Sequence, residues 1–338
     1  MASDPAPLVV AAPVVPADDG AIARAAGVLA AGGLVVFPTE TVYGLGADAT
    51  NDAACARIYA AKNRPDFNPL IVHVLDAADA GRFVEFTALG QKLIDVFWPG
   101  PLTVVLPRRT DCALSRLVSA GLDTAAIRAP SHPVGRALLA KSNLPIAAPS
   151  ANRSGHLSPT HAEHAALSLP GPAAGGPQLV LDAGPCGVGL ESTVVDATGS
   201  KPVILRPGGV TAERIAAVTG SVAEADPADL DQPRSPGMLA RHYAPTKPLR
   251  LMAVDARPDE ALLAFGPDAP AKAAGPCLNL SPGGDLIEAA ANLFAMLHDL
   301  DESDAAAIAV MPVPETDLGQ AINDRLRRAA EGSKEPAG

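Results

Sequence analysis

The stretch Leu34–Thr50, LVVFPTETVYGLGADAT, decides how the chain is read. Four apolar residues, Leu34 to Phe37, run directly into a proline. A short apolar run bounded by turn residues predicts a buried strand, and Pro38, which has no N–H to give to a ladder, predicts its end. Thr39, Glu40, Thr41 and Tyr43 then place four polar side chains within five positions, and Gly44 and Gly46 follow. In α/β sheets, ligands bind at such loops, beyond the C-terminal ends of strands. An ordinary strand-to-turn junction has the same composition, so the choice depends on what the rest of the chain brings to it.

Working outward, Asn51 to Lys62 is alanine-rich with Thr50, Asn51 or Asp52 as a cap, which predicts a helix. It is closed by Pro65 within KNRPDFNPLIVHV (62–74). Lys62 and Arg64 at that helix end compensate its dipole or face a ligand. Asn68 follows in a proline-stiffened loop, and Leu70 to Val74 reads as a strand carrying His73. Further strands are expected at Leu102 to Leu106, Thr124 to Arg128, Gln178 to Leu181, Thr193 to Val195 and Pro202 to Leu205, with helices at Leu89 to Phe97, Val134 to Lys141, Thr160 to Leu167 and Thr211 to Val218. Trp98, the single tryptophan, is expected to pack rather than to stack on a ligand. A second strand runs into small polar groups in PIAAPSANRSGHLSPT (145–160), with Ser150, Asn152 and Ser158. His156, His161 and His164 cluster here, but HAEH is not HExxH and no carboxylate stands at ligand spacing, which argues against zinc. His161 and His164 are expected on the exposed face of their helix. The glycine-rich DAGPCGVGLEST (182–193) is neither a Walker A loop nor GxGxxG leading into a helix.

A length of 338 residues predicts two domains, and 48% hydrophobic content is ample for two cores. No apolar run approaches the roughly 18 residues of a membrane span. The proline-interrupted N-terminus lacks the basic flank of a signal peptide. Cys55, Cys112, Cys186 and Cys277 are far apart and form no CxxC pair, which argues against a disulfide framework and fits a reducing cytoplasm. The net charge of −11 argues against a general nucleic-acid binder. Ala30 to Val210 holds 14 Lys and Arg against 14 Asp and Glu, so the acidic excess lies outside it. Beyond an acidic linker, Leu249 onward alternates apolar runs with helices at Asp285 to His298 and Leu318 to Ala330, which implies a parallel, Rossmann-like sheet with no evident catalytic constellation.

PTETVYGLG (38–46), KNRPDFNPLIVHV (62–74), WPGPLTVVL (98–106), AIRAPSHP (126–133), APSANRSGHLSPT (148–160), ESTVVD (191–196), ILRPGG (204–209) and SPGMLARHYAP (235–245) together resemble the threonylcarbamoyl-AMP synthase family in its two-domain form. The resemblance is dense over about residues 20 to 250. It implies an α/β protein: a YrdC-like twisted mixed sheet with helices around a concave active site, then a smaller Rossmann-like α/β domain. The expected division is a disordered lead-in (1–19), the YrdC-like catalytic domain (20–218), a linker reaching over the active site (219–247), the C-terminal domain (248–332) and a tail (333–338).

The implied reaction joins L-threonine, bicarbonate and ATP into threonylcarbamoyl-AMP and pyrophosphate. A downstream tRNA threonylcarbamoyl transferase complex then uses the product next to the anticodon. Carried over position by position, the resemblance implies that Lys62 and Arg64 are catalytic and that Thr41, His73, Arg128, Ala148 and Ser192 hold L-threonine. It assigns Arg64, Asn68, Thr124, Ser150, Asn152, Ser158, Arg206, His242 and Tyr243 to ATP, with Thr124 in the wall of the threonine pocket as well. Mg2+ is expected to arrive with the triphosphate, held by phosphate and water rather than by a protein cage. The chemistry suits these types, because anionic substrates need fixed cations and neutral donors rather than a covalent nucleophile. The alternative is a double-stranded-RNA-binding or ribosome-maturation module of YrdC type, which a basic concave surface would support and the neutral charge balance weighs against.

Overall fold

A computed structural model describes residues 11–65, 67–225, 243–270 and 275–333. The first domain runs β1 (Val14–Pro16), α1 (Asp19–Ala30), β2 (Val35–Phe37), β3 (Gly44–Asp48), α2 (Asp52–Lys62), β4 (Ile71–His73), α3 (Ala77–Ala80), α4 (Ala88–Phe97), β5 (Leu102–Pro107) and β6 (Thr124–Arg128). It continues with α5 (Pro133–Ser142), β7 (Ile146–Ala147), α6 (Ala162–Ser168), a 3-10 turn (Pro172–Ala174), β8 (Leu179–Asp182), β9 (Thr193–Asp196), β10 (Val203–Arg206), α7 (Ala212–Thr219) and β11 (Ala223–Glu224). The second domain holds β12 (Leu249–Arg250), β13 (Glu260–Ala264), β14 (Cys277–Asn279), α8 (Leu286–Glu302), β15 (Ala307–Val310) and α9 (Leu318–Gly332).

The first eleven strands form one mixed sheet in the order β1-β8-β2-β3-β7-β4-β6-β5-β9-β10-β11, and the last four form a separate sheet, β12-β15-β13-β14. Every pairing in the small sheet is parallel. Mixed sheet first and parallel α/β unit second is the architecture expected from the sequence.

Three sequence expectations are corrected. Residues 14–16 are not a loose lead-in, because Val14, Val15 and Pro16 pair in parallel with Val180, Leu181 and Asp182. Asp18 then caps α1, its side chain accepting from the N–H of Ala21. The polar loop after β2 is shorter than the sequence suggested: GLGAD is itself a strand, running back antiparallel with Val35 opposite Gly46 and Phe37 opposite Gly44. The apolar run from Leu249 to Val254 yields only the two residues of β12. Pro38 does end β2, and Trp98 packs against the main core with its indole N–H donating to the Leu102 carbonyl at 2.8 Å.

α1 lies against α5, and its buried residues Ala21, Ile22, Ala25, Ala26 and Leu29 join Val35 and Phe37 of β2 in one apolar cluster. The four cysteines are free thiols. No helix among the described residues is long and apolar enough to cross a membrane. Leu29 is fully buried beneath the strand that carries the polar loop. Leu29→Ala is expected to lower the unfolding free energy by about 2–5 kcal/mol in urea titrations, through lost transfer energy and the cavity left behind; a cost below about 1 kcal/mol would show that α1 does not support β2 as described.

Candidate active site

The candidate site lies where strands of the large sheet end, as the sequence suggested: His73, Arg128 and Arg206 are the last residues of β4, β6 and β10, and the segments after β2 and β7 join them. Side chains of a strand alternate between faces. In β4 and its flanks, Leu70, Val72 and Val74 enter the main core, while Ile71 and His73 turn to the opposite side and line a cavity. In β6, Ala125 and Ile127 go to the core and Arg128 to the cavity. His73 is registered directly opposite Arg128 in the parallel β4–β6 pair, so both side chains rise from the same face. Ala148, Pro149 and Ser150 close one side, and Thr39, Thr41 and Val42 close another. Glu191, Ser192, Arg206, Arg64 and the linker residue Tyr243 complete the lining.

The loop after β2 is held by its own hydroxyls. Thr39 Oγ1 donates to the Val42 carbonyl at 2.7 Å and accepts from the N–H groups of Thr41 and Val42. Because the single Thr39 proton goes to Val42, the 2.8 Å contact between the two threonine hydroxyls must be a donation from Thr41. Thr41 Oγ1 in turn accepts from Arg128 Nη1 at 2.8 Å. Arg128 Nη2 meets Glu40 Oε1 at 2.6 Å, both side chains being buried or nearly so. Glu40 also accepts from the N–H of Ser131 at 3.0 Å. Glu40 thus anchors the arginine. The ring of His73 stands edge-on to Phe37 at 5.9 Å, and its Nδ1 is buried with no hydrogen-bond partner. Burial, reinforced by the charge of Arg128, pushes its pKa down to about 3, so the imidazole is neutral at neutral pH.

The opposite wall is cationic. Arg206, 4% exposed, donates through Nε and Nη2 to the Ser192 carbonyl and through Nη2 to Ser192 Oγ at 3.1 Å. Ser192 Oγ is also 2.7 Å from Thr103 Oγ1. Arg64 donates to the carbonyls of Asn68 and Pro69. Burial lowers the pKa of Arg64 to about 10, which leaves it charged at neutral pH. Among the described residues neither Arg64 nor Arg206 has a carboxylate within ion-pair distance. The Asn68 amide is buried with no partner on either atom among the described residues. Gly208 permits the close approach that builds this wall, since a Cβ there would stand 2.3 Å from the Glu191 carbonyl oxygen.

The structure thus brings Arg64, Thr41, His73, Arg128, Ala148, Ser150, Ser192, Arg206 and Tyr243 to one cavity. Others stand apart from it. Lys62, expected to be catalytic, is 1% exposed and donates to the carbonyls of Ser150 and Asn152, so it ties the loop that carries Ser150 rather than reaching the cavity. Asn152 likewise turns its amide to the carbonyls of Arg153 and His156. Ser158 donates to Glu191. Thr124 begins β6 at the end away from Arg128 and is not among the residues that line the cavity. His242 lies outside the described residues. His161 precedes α6 as its N-cap, and His164 is not on an exposed face: it stacks on His298 of α8 at 4.0 Å.

Two functional candidates were missed. Glu191 was seen as part of ESTVVD but given no role, and it lines the cavity at 5% exposure. Arg325 lies in α9, in the domain that seemed to hold no chemistry; it is fully buried and its Nε donates to Glu191 Oε2 at 2.8 Å. A signal was present in α9, whose buried positions Ala321, Ile322, Arg325, Leu326 and Ala329 follow helical spacing and include one charged residue. The domains share a core as well. Val42, Leu157, Leu190 and Tyr243 belong to the same apolar cluster as Leu293, Phe294 and Leu326. Gly189 touches α8 so closely that a Cβ would be 2.4 Å from the Ala290 carbonyl oxygen.

Residues 27–208 match the Sua5–YciO–YrdC family, described as "Telomere recombination", and residues 210–331 match the family described as "Threonylcarbamoyl-AMP synthase, C-terminal domain". A threonylcarbamoyl-AMP synthase of Bacillus subtilis (strain 168) is 43% identical over 337 aligned positions, covering 93% of this chain and 94% of that protein. The chain belongs to the threonylcarbamoyl-AMP synthase family. Its two-domain layout is shared with a synthase of Pyrococcus abyssi (strain GE5 / Orsay), 39% identical over 90% of this chain and 93% of that one. A crystal structure of P. abyssi Sua5 complexed with L-threonine superposes with a TM-score of 0.84 at 35% identity, covering 96% of this chain and 98% of that one.

In this family member, the Glu40–Arg128 pair sets a pH dependence. Burial raises the Glu40 carboxyl, but the charge and hydrogen bonding of Arg128 and the Ser131 N–H outweigh it, so its pKa lies below the ordinary 4.5. A depressed folded-state pKa gives stability that is complete above the unfolded value and is lost as pH falls through the folded one. Glu40→Gln is therefore expected to lose less stability than the wild type between about pH 5 and pH 3 in acid-titrated melts, and parallel curves would contradict the pairing.

Proposed function

We propose that this chain makes L-threonylcarbamoyl-AMP and pyrophosphate from L-threonine, bicarbonate and ATP in the cytoplasm, for transfer by a downstream complex to the adenosine beside the anticodon of certain tRNAs. The observation that carries the reading is the presence of two buried arginines, Arg64 and Arg206, whose partners among the described residues are carbonyl and hydroxyl oxygens. Their full charge is available to a polyanion. Beside them stands a neutral, hydroxyl-lined corner with one arginine already neutralised, which suits a zwitterionic amino acid. The threonine bound in P. abyssi Sua5 supports placing L-threonine there.

The proposed division of labour follows the geometry. Thr41, His73, Arg128, Ala148 and Ser192 surround L-threonine. Thr41 and the neutral His73 offer polar atoms to its hydroxyl and amine, and Arg128, fixed by Glu40, faces its carboxylate. Arg64, Ser150, Arg206 and Tyr243 take the nucleotide, with Asn68 supplying an amide that no group among the described residues engages. Ser158 and Asn152 act through the loops they fasten, and Lys62 presents Ser150. Rate enhancement then comes from alignment and from charges fixed where the α-phosphate is attacked. Among the described residues no group of three or more His, Cys, Asp or Glu gathers as a metal cage. Glu191, which lines the cavity, and Glu40 beside it are each held by an arginine, so a magnesium ion would be carried on the phosphate oxygens of the substrate.

The test is pyrophosphate release by purified protein supplied with ATP, bicarbonate, L-threonine and Mg2+. Release is expected to need both threonine and bicarbonate; release without them would defeat the assignment. Arg64→Ala is expected to lower kcat/KM by about tenfold or more, since a charged contact to the substrate is lost, in a variant that circular dichroism shows to be folded.

A further inference from the structure

Arg325 carries the second domain's chemistry into the first domain's cavity. It is completely buried, 134 residues away in sequence from the carboxylate it meets. Besides bonding Glu191, it donates through Nη2 to the Pro207 carbonyl at 2.9 Å and through Nη1 to Asp324 Oδ2 at 2.6 Å. Pro207 directly follows Arg206 in the chain. The guanidinium carbon also stands 5.1 Å from the centre of the Tyr243 ring, which lies 5.6 Å from the ring of Phe294 as well. The linker residue that closes the cavity is therefore seated on Arg325.

The charge arithmetic gives this contact a consequence. Within the first domain the cavity is lined by three arginines, Arg64, Arg128 and Arg206, and one glutamate, Glu191, with Glu40 behind Arg128. Arg128 neutralises Glu40. A buried carboxylate does not persist without a partner. Without Arg325, Glu191 keeps the Ser158 hydroxyl, and the remaining arginine whose charge acts on it is Arg206, a pairing that would compete with an anionic substrate.

We propose that Arg325 is a positioning residue through which the second domain sets the nucleotide affinity of the first: by holding Glu191 it keeps Arg206 free for phosphate, and by seating Tyr243 it fixes the linker against the same wall. The proposal rests on the assignment of Arg206 to the nucleotide. Of the residues assigned to L-threonine, Ser192 alone bonds Arg206, and its hydroxyl is also held by Thr103; Thr41, His73 and the Glu40–Arg128 pair are held by other partners, so the effect falls mainly on the nucleotide.

Steady-state kinetics of the full chain test it. Arg325→Met is expected to raise KM for ATP about tenfold while KM for L-threonine changes less than about threefold, as for a buried charge pair cut on one side. Adding Glu191→Gln removes the stranded anion, and the double variant is expected to bring KM for ATP back to within about threefold of the wild type, a coupling that non-additive neighbours show. A double variant as impaired as Arg325→Met, or both KM values rising together, would overturn the proposal and reduce Arg325 to a structural strut. Should Arg325→Met fail to fold, the double variant compared with the wild type decides the matter by the same limits. Calorimetric titration with ATP repeats the comparison without turnover. A wild type that binds ATP but releases no pyrophosphate would refute the function, whereas an active wild type with no rescue refutes the role of Arg325 alone.

Discussion

A guanidinium can be buried only where oxygen atoms receive its N–H groups, and this protein meets that requirement in two ways that sort its arginines by role. Arg64 and Arg206 are buried against carbonyl and hydroxyl oxygens, which are dipoles and leave the net charge intact. Arg128 and Arg325 are buried against carboxylates, which cancel it. The first pair can draw an anion into the cavity. The second pair hold the walls. The arrangement is unstable to any loss of balance, because removing one partner of a buried ion pair leaves the other uncompensated, at a cost of roughly 3–5 kcal/mol.

The same sorting explains why the second domain is an integral part of the site. Three apolar residues of the first domain, Val42, Leu157 and Leu190, are packed in the second domain's core, and each adjoins a site segment. Val42 follows Thr41, Leu157 precedes Ser158, and Leu190 precedes Glu191. The dry contact on one side of each segment fixes the polar residue on the other. Stacking of His164 on His298 adds a contact at the far edge, where burial and the neighbouring His298 push the His164 pKa down to about 3 and keep that ring uncharged.

The fold was legible wherever apolar residues alternated. LIVHV and TAAIR read as strands, and the same period that identifies them aims His73 and Arg128 at the cavity. The β3 strand was not legible, because GLGAD contains no β-branched or aromatic residue and earns its place through pairing with β2 and β7. β1 was obscured by the prolines around it, which permit an edge strand while lowering strand propensity. Within the site, Thr41, His73, Arg128, Ser192 and Arg206 were found by their motifs. Lys62 was found too, but a motif reports a residue's presence and not its direction, and its ammonium points to backbone carbonyls. The buried place of Arg325 could be read from the spacing of α9, but its partner could not, because a pairing with Glu191 across 134 positions leaves no trace in a single sequence.

The adjoining residues Leu190 and Glu191 face different surroundings, one the apolar core of the second domain and the other the charged cavity. They lie in a glycine-rich connection between β8 and β9, where an insertion or deletion would ordinarily be absorbed at little cost. Here a change of one residue exchanges the two, sending a carboxylate into hydrocarbon and a leucine into the ring of arginines. The length of this connection is therefore as constrained as that of a strand, and variation among working versions of the protein should be confined to its outer part, before the close approach of Gly189 to α8.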